Sequence, residues 1–410
     1  MAPTELDAPT TRHAGDARWS RRAHSAGSST IRDLLSVVHQ RDVLSLAGGL
    51  PAVGTLPTED VVVAVERVLR ADPDALQYGP TEGEPGLRDW IAAHELDGAD
   101  PAQVLVTHGS QQALRLLVDA LVDPGDVVVV ERTSYVGMLQ ALSPSGAELV
   151  DVGSDEDGLV VDELEHLLAD GLRPKVLYLA PTFQNPTGTV LSGARRAQLG
   201  RLAARHGFVV IDDDPYRTLG FEAPPERLRD HVPAELAVTV GSFSKSIAPG
   251  LRVGWVHAPS WLVPALVRMK QAVDLHTGTL AQRAVLDLLE RPGWRAARAA
   301  HQQGLHQGRA TALAASLSRH LGGAVRWYEP RGGMFTWVRL DLGTGDTDRL
   351  LPVALDHGVA YVPGSAFDPA GRPSLDLRAC FATLDEQELD RAVERLASAV
   401  GSFLDVEGRG

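Results

Sequence analysis

From residue 100 onward, short apolar runs alternate with longer amphipathic ones. Val104–Thr107, Val127–Glu131, Val176–Ala180, Phe208–Asp212, Ala237–Ser242 and Val253–His257 read as strands. Several are almost wholly β-branched, which is the composition of strands covered on both faces. Gln111–Leu121, Val161–Ala169 and Ala194–His206, lying between them, read as helices. Strands that alternate with helices predict an α/β fold built on a largely parallel sheet. From Trp261 the chain turns mostly helical. Shorter strands are then expected at Val325–Glu329, Met334–Leu340, Val359–Val362 and Leu375–Phe381, with a last helix near Glu386–Val400. That change of texture predicts a second, smaller α+β domain from about residue 295.

Composition narrows the picture. The chain has 410 residues, 44% hydrophobic and 22% charged, enough for a large core divided over two or three domains. Its net charge of -14 argues against nucleic acid or an anionic membrane surface as partner. One cysteine, Cys380, excludes an internal disulfide and a cysteine-rich metal centre, and fits a reducing, cytoplasmic setting. No apolar run reaches the roughly 18 residues of a membrane helix. Residues 1–28 carry Arg12, Arg18, Arg21 and Arg22 but also Glu5, Asp7 and Asp16, with no apolar stretch. They are expected to form a disordered tail rather than a signal or transit segment.

Chemistry enters at Ser242-Phe243-Ser244-Lys245-Ser246-Ile247-Ala248-Pro249-Gly250-Leu251-Arg252. A lysine directly after a strand, between serines and followed by an arginine, combines an amine with hydroxyl and guanidinium donors for a phosphate. Near other cations and partly desolvated, its pKa falls, which suits carbonyl chemistry. Upstream, Thr107-His108-Gly109-Ser110-Gln111-Gln112-Ala113 joins a strand to a helix, and Ser110 is expected to cap that helix where its amides can meet an anion. Phe183-Gln184-Asn185-Pro186-Thr187-Gly188 reads as a turn, and Ile211-Asp212-Asp213-Asp214-Pro215-Tyr216 stacks three carboxylates at a strand end, where they repel one another unless a cation or a function holds them. Along an extended strand Asp213 points opposite to Asp212 and Asp214. Asp213 and Lys245 both stand at carboxyl ends of strands, the ligand-binding edge of an open α/β sheet.

Taken together these segments resemble the fold-type I pyridoxal-phosphate (PLP) enzymes of the class I/II aminotransferase group. The likeness runs from about Ser29 to the C-terminus. It is nearest to the subgroup of 2-aminoadipate and kynurenine aminotransferases, with support from Ser29-Thr30-Ile31-Arg32, Ala47-Gly48-Gly49-Leu50-Pro51 and Asp274-Leu275-His276-Thr277. The resemblance implies a large PLP-binding domain over residues 45–294, with a mostly parallel seven-stranded sheet between helices. The small domain would be built from residues 29–44 and 295–410. It implies Lys245 as the lysine holding PLP in a Schiff base, with Asp213 at the pyridinium nitrogen. Asn185 and Tyr216 would reach the phenolic oxygen and Tyr135 would stack on the ring. Ser110, Gln111, Ser242, Ser244 and Arg252 would line the phosphate side. Arg378 would grip the substrate's α-carboxylate, with Asn185 and Gly49 beside it, and Arg32 would meet a distal carboxylate. Leu375 departs from the pattern, since relatives have asparagine three residues before this arginine. Tyr78, in Gln77-Tyr78-Gly79-Pro80, would cross a homodimer interface to the neighbour's phosphate.

The activity implied is ping-pong transfer of an amino group between an L-amino acid, either acidic or aromatic, and a 2-oxo acid such as 2-oxoglutarate. A transaminase for a specialised non-proteinogenic amino acid stays open, as do a β-lyase, a decarboxylase and an oxidase on the same fold. A non-catalytic PLP-sensing protein is disfavoured by the complete set of Lys245, Asp213 and Arg378.

Overall fold

A computed structural model describes residues 18–25, 42–223, 225–343 and 345–407. Its centre is a seven-stranded sheet in the order Val104–Thr107, Gly254–His257, Ala237–Ser242, Val209–Asp213, Val176–Leu179, Val127–Glu131, Glu148–Val152. Only Gly254–His257 runs antiparallel to its neighbours, so the sheet is mostly parallel as expected. Covered on both faces, the inner strands bury nearly every side chain, which explains their unbroken β-branched runs. Helices Ser110–Leu121, Val136–Leu142 and Val263–Val273 bring an apolar layer to one face. Val161–Ala169 and Gly193–His206 cover the other.

A second sheet orders Val325–Trp327, Phe335–Leu340, Asp376–Cys380 and Val362–Pro363, all antiparallel. It shares a core with helices Trp294–Leu321, Thr347–Asp356 and Glu386–Glu407. Leu44 and Ser45 pair in parallel with Val359 and Ala360, which ties the N-terminal approach to this smaller unit. Within the stretch expected to be a disordered tail, Arg21–Ser25 form a short helix, and Ser143 Oγ donates to the Ser25 carbonyl. Among the described residues no helix is long and apolar enough to cross a membrane, and no cluster of three or more His, Cys, Asp or Glu could hold a metal ion.

Three local differences have physical causes. Glu148–Val152 is an edge strand that the apolar pattern misses, because Glu148 is exposed and Asp151 is held by Arg132 and Arg372 instead of packing in a core. Val209–Asp213 runs one residue further than expected, so Asp213 pairs with Val240 inside the sheet. Ser110 does not cap its helix. It is the first helical residue, and the cap position is Gly109 at φ 74°, a conformation that glycine adopts without strain. A Cβ at Gly109 would lie 2.6 Å from Arg252 Nη2, and one at Gly254 would lie 2.6 Å from the Gly109 carbonyl carbon. The turn is therefore squeezed between the neighbouring strand and Arg252.

That turn is braced from the far side by a charged cluster. Lys270, fully buried, places Nζ 2.9 Å from Asp274 Oδ1 and 2.9 Å from Gln112 Oε1. Asp274 Oδ2 also receives Gln112 Nε2 at 2.6 Å and meets His108 Nδ1 at 2.7 Å. Burial pushes the Asp274 carboxyl up, but hydrogen bonds from Lys270, Gln112 and His108 hold it net below the usual range. Asp274→Ala leaves a buried ammonium without its carboxylate. It should cost about 3 kcal/mol of stability, the low end of the range for stripping one partner from a buried pair because Asp274 is partly exposed. Chemical denaturation of the variant and of Lys270→Met/Asp274→Ala checks this, the double variant recovering part of the loss.

Candidate active site

The carboxyl ends of the central strands open into a cavity of about 220 Å³ lined by Gly49, Leu50, Ser110, Tyr135, Ala180, Asn185, Asp213, Pro215, Tyr216, Ser242, Ser244, Lys245 and Arg378. These residues come from segments as far apart in sequence as the Gly49 loop and the strand Asp376–Cys380. Lys245 follows the strand Ala237–Ser242, and its Nζ donates to the Gly49 carbonyl at 2.9 Å. Part of its surface is open to the cavity. Desolvation by the walls nonetheless pulls its pKa down to about 8, Cys380 acting the other way and Arg378 and Arg252 adding repulsion. A lysine held there is a free amine over much of the alkaline range, and hence a nucleophile and a base.

Asp213 lies at the end of its strand, buried, with Oδ2 accepting the Tyr178 hydroxyl at 2.8 Å. Its Oδ1 has no partner among the described residues. Burial pushes this carboxyl up to about 7, partly offset by Tyr178, with Asp214 adding to the rise. A buried carboxyl with one oxygen idle and its charge disfavoured is arranged for a cation supplied from outside the chain. Asp212 and Asp214 look the other way, towards Arg196, Arg217 and Arg227.

Opposite Asp213, Arg378 is almost wholly enclosed. Its Nη1 donates to Asn185 Oδ1 at 2.9 Å and its Nη2 to the Ala47 carbonyl at 2.6 Å, while Nε has no partner among the described residues. No carboxylate among those residues pairs with it. The guanidinium instead lies 4.3 Å from the ring centre of Phe335 and 5.2 Å from that of Phe367. A cation desolvated against aromatic faces has a strong demand for an anionic ligand. Asn185 Nδ2 turns to the Tyr216 hydroxyl at 3.4 Å, so one asparagine links the arginine to the tyrosine. The Asn185 turn is itself held by the buried Arg196, which donates to the Leu191 and Pro181 carbonyls.

At the anion end, the helix starting at Ser110 points its first amides to the cavity. Ser242 Oγ donates to Ser244 Oγ at 2.9 Å, which leaves the Ser244 hydroxyl hydrogen for a ligand. Arg252, exposed and in the left-handed region, donates from Nη2 to the His108 carbonyl at 3.0 Å. Gln111 does not line the cavity; its Nε2 donates to the Gly137 carbonyl at 2.7 Å and its Oε1 lies 3.4 Å from the Tyr135 hydroxyl, steadying that ring from behind. Tyr78 is 78% exposed, packs edge-on against His276, and takes no part in this chain's own cavity. Arg32 lies outside the described residues.

The expected cofactor fits this cavity on three independent counts. Its aldehyde would meet the Lys245 amine, its protonated ring nitrogen the idle Asp213 Oδ1, and its phosphate the Ser110 amides with Ser244 and Arg252. Two features escape the motif reading. Tyr178 reads as a core tyrosine between Leu177 and Leu179, and nothing local marks its bond to Asp213. The second is a count: the 410 residues contain three lysines, Lys175, Lys245 and Lys270. Lys175 pairs on the surface with Asp126 and Lys270 is committed to Asp274, which leaves Lys245 alone at the cavity.

Comparison with known proteins agrees with this geometry. The sequence profile of the family described as aminotransferase class I and II matches residues 41–396. The 2-aminoadipate transaminase of Thermus thermophilus is 39% identical over 387 residues, covering 92% of this chain and 95% of that one. The mitochondrial kynurenine/alpha-aminoadipate aminotransferase of Mus musculus is 30% identical, covering 92% and 95% respectively. Among solved structures, the alpha-aminoadipate aminotransferase LysN of Thermus thermophilus, complexed with N-(5'-phosphopyridoxyl)-L-leucine, superposes with a TM-score of 0.89. It is 37% identical and covers 96% of this chain and 100% of that one.

If Lys245 is the only amine in reach, borohydride reduction of the PLP-loaded protein should fix the cofactor to one lysine of the three. Peptide mass mapping reads this directly, with Lys175 and Lys270 peptides expected unmodified.

Proposed function

The chain belongs to the class I and II aminotransferases, and from that premise we propose that it moves an amino group from an acidic or aromatic L-amino acid, such as 2-aminoadipate or glutamate, to a 2-oxo acid such as 2-oxoglutarate. It is a fold-type I enzyme dependent on PLP. Bound PLP supplies an electron-withdrawing ring that makes the substrate's Cα–H acidic. The chain supplies charge and orientation. Asp213 keeps a proton on the ring nitrogen, and Tyr178 fixes the carboxyl so that Oδ1 is the oxygen presented. Lys245 Nζ would hold the cofactor and, as a free amine, would be the base for the proton on Cα. Asn185 and Tyr216 stand at the phenolic oxygen. Ser110, Ser244 and Arg252 hold the phosphate, with Gln111 and Ser242 placing their neighbours, and Tyr135 covers the ring.

The observation that carries the substrate reading is Arg378, a buried guanidinium with no carboxylate partner among the described residues, lying against the rings of Phe335 and Phe367. Its charge selects an α-carboxylate, while Leu50, exposed in the cavity lining, gives an aromatic or extended aliphatic side chain an apolar surface to pack on. Relatives named for 2-aminoadipate and kynurenine support both classes. Gly49 leaves room beside Arg378: a Cβ there would sit 3.3 Å from the Phe335 ring and 3.9 Å from Arg378 Nη2. For acidic substrates we assign the distal carboxylate to Arg32. The setting is a cytoplasmic homodimer whose two sites are shared, with Tyr78 reaching the neighbour's phosphate. Its exposure outside its own cavity supports that reading.

Mixing candidate amino acids with the PLP form and following conversion to the pyridoxamine form spectrally tests the substrate class. Arg32→Ala should lose about 1.5–3 kcal/mol of transition-state stabilisation for 2-aminoadipate and glutamate. Phenylalanine should be nearly unaffected, and equal losses for both classes would remove Arg32 from substrate recognition. For Tyr78, mixed dimers of inactive Lys245→Ala and Tyr78→Phe subunits should contain one repaired site. Activity no greater than that of either parent would show that the sites are not shared.

A further inference from the structure

Behind the lysine loop, on the side away from the catalytic cavity, lies a second and larger cavity of about 810 Å³. Its floor includes Phe243, Ser246 and Ile247, and its far wall is the start of the helix Trp294–Leu321. That helix grips the loop by its backbone. Gln302 Nε2 donates to the Lys245 carbonyl at 2.9 Å, Arg298 Nε to Ser246 at 2.6 Å, and Arg298 Nη2 to Ile247 at 2.8 Å. Three consecutive carbonyls, beginning with that of Lys245, are thus fixed from this cavity.

Five arginines line it, and four are spent on carboxylates of the chain. Arg217 meets Asp214, Arg227 meets Asp97, Arg291 meets Asp287, and Arg295 meets Glu95 at 2.6 Å. Arg298 is different: it bonds only backbone carbonyls, the third being that of Thr55, and has no carboxylate within ion-pair distance among the described residues. Its fork retains N–H groups beyond those bonds. At the rim, Glu222 and Glu290 are exposed and have no ion pair among the described residues. The same lining includes the apolar side chains of Trp294, Ile247 and Leu289. A phosphate dianion would face one cation without an ion pair, already in the field of Asp60, against two carboxylates without one. A zwitterion with an apolar tail matches all three features.

We propose that this cavity is a second binding site, for an α-amino acid with an apolar side chain. Its carboxylate pairs with Arg298, its ammonium faces Glu222 and Glu290, and its side chain lies on Trp294. Occupancy draws Arg298 away from the Ser246 and Ile247 carbonyls and so alters the hold on the Lys245 loop. The site lies outside the substrate cavity and responds to an amino acid independently of turnover.

The test uses the PLP-loaded Arg378→Met variant, in which the substrate carboxylate anchor is gone, with L-leucine as probe. Isothermal titration should show one leucine per chain, and the pH midpoint of the lysine-bound cofactor's visible band should shift on saturation. Adding Ala299→Trp fills the cavity without touching any bond to the loop, and should weaken leucine at least tenfold and abolish the shift. No binding, binding unchanged by Ala299→Trp, or binding without the shift would each overturn the proposal. If Arg378→Met does not fold, crystals of wild-type holoenzyme grown with L-leucine decide the matter: density against Arg298 supports the site, and an empty cavity removes it.

Discussion

A buried charge without a counter-charge is the constraint around which this protein is arranged. Lys245 gives its amine one carbonyl, Asp213 gives its carboxyl one tyrosine hydroxyl, and Arg378 gives its guanidinium two neutral oxygens. Among the described residues, none of the three is paired with an opposite charge. Each such group costs free energy in the folded state, and the cost is met by the packing of a large sheet and its helices. The charges are made to wait for partners that arrive as ligands. PLP and an amino acid between them carry an aldehyde, a ring cation, a phosphate and a carboxylate, which is the complement of what the cavity lacks.

The acid triplet shows how the sheet sorts chemistry from scaffolding. Strand alternation sends Asp213 into the cavity and its two neighbours behind it. There Asp214 meets Arg217 at 3.5 Å. Asp212, pushed up to about 8 by burial and by Asp214, lies in the field of Arg196 and Arg217. Arg196 in turn holds the turn that presents Asn185. One strand end therefore presents one carboxyl to the cavity and places the one before it in the field of the arginine that holds the neighbouring loop.

Much of this was legible in the sequence because the informative residues are local. Lys245 with its serines, Asp213 with Tyr216, and the Asn185 turn each sit at a strand end, and β-branched runs mark those strands. What escaped depends on distance or on backbone shape. Glu148–Val152 has too many acids to read as a strand, since an edge needs no second apolar face. Ser110 looks like a cap, but whether a serine precedes or begins a helix depends on the residue before it. Here Gly109 takes the cap position because Arg252, over 140 residues later, leaves no space for a Cβ. Tyr178 is indistinguishable from core until the neighbouring strand brings Asp213 against it. The second cavity was invisible, since a helix starting at residue 294 builds it against a loop at 245.

The pairing of Leu46, Ala47 and Leu50 with residues far along the chain has a consequence for synthesis. Arg378 donates to Ala47, the Cys380 amide bonds the Leu46 carbonyl, and Thr383 donates to Leu50. The loop that receives Lys245 is therefore seated by segments translated more than 300 residues later. On a ribosome adding about 5–20 residues per second, the central sheet, complete in sequence at His257, has roughly 6–25 s to form before that loop has its partners. The wall that carries Arg378 is thus the last part of the cavity to be put in place, after the strand ends that carry Asp213 and Lys245.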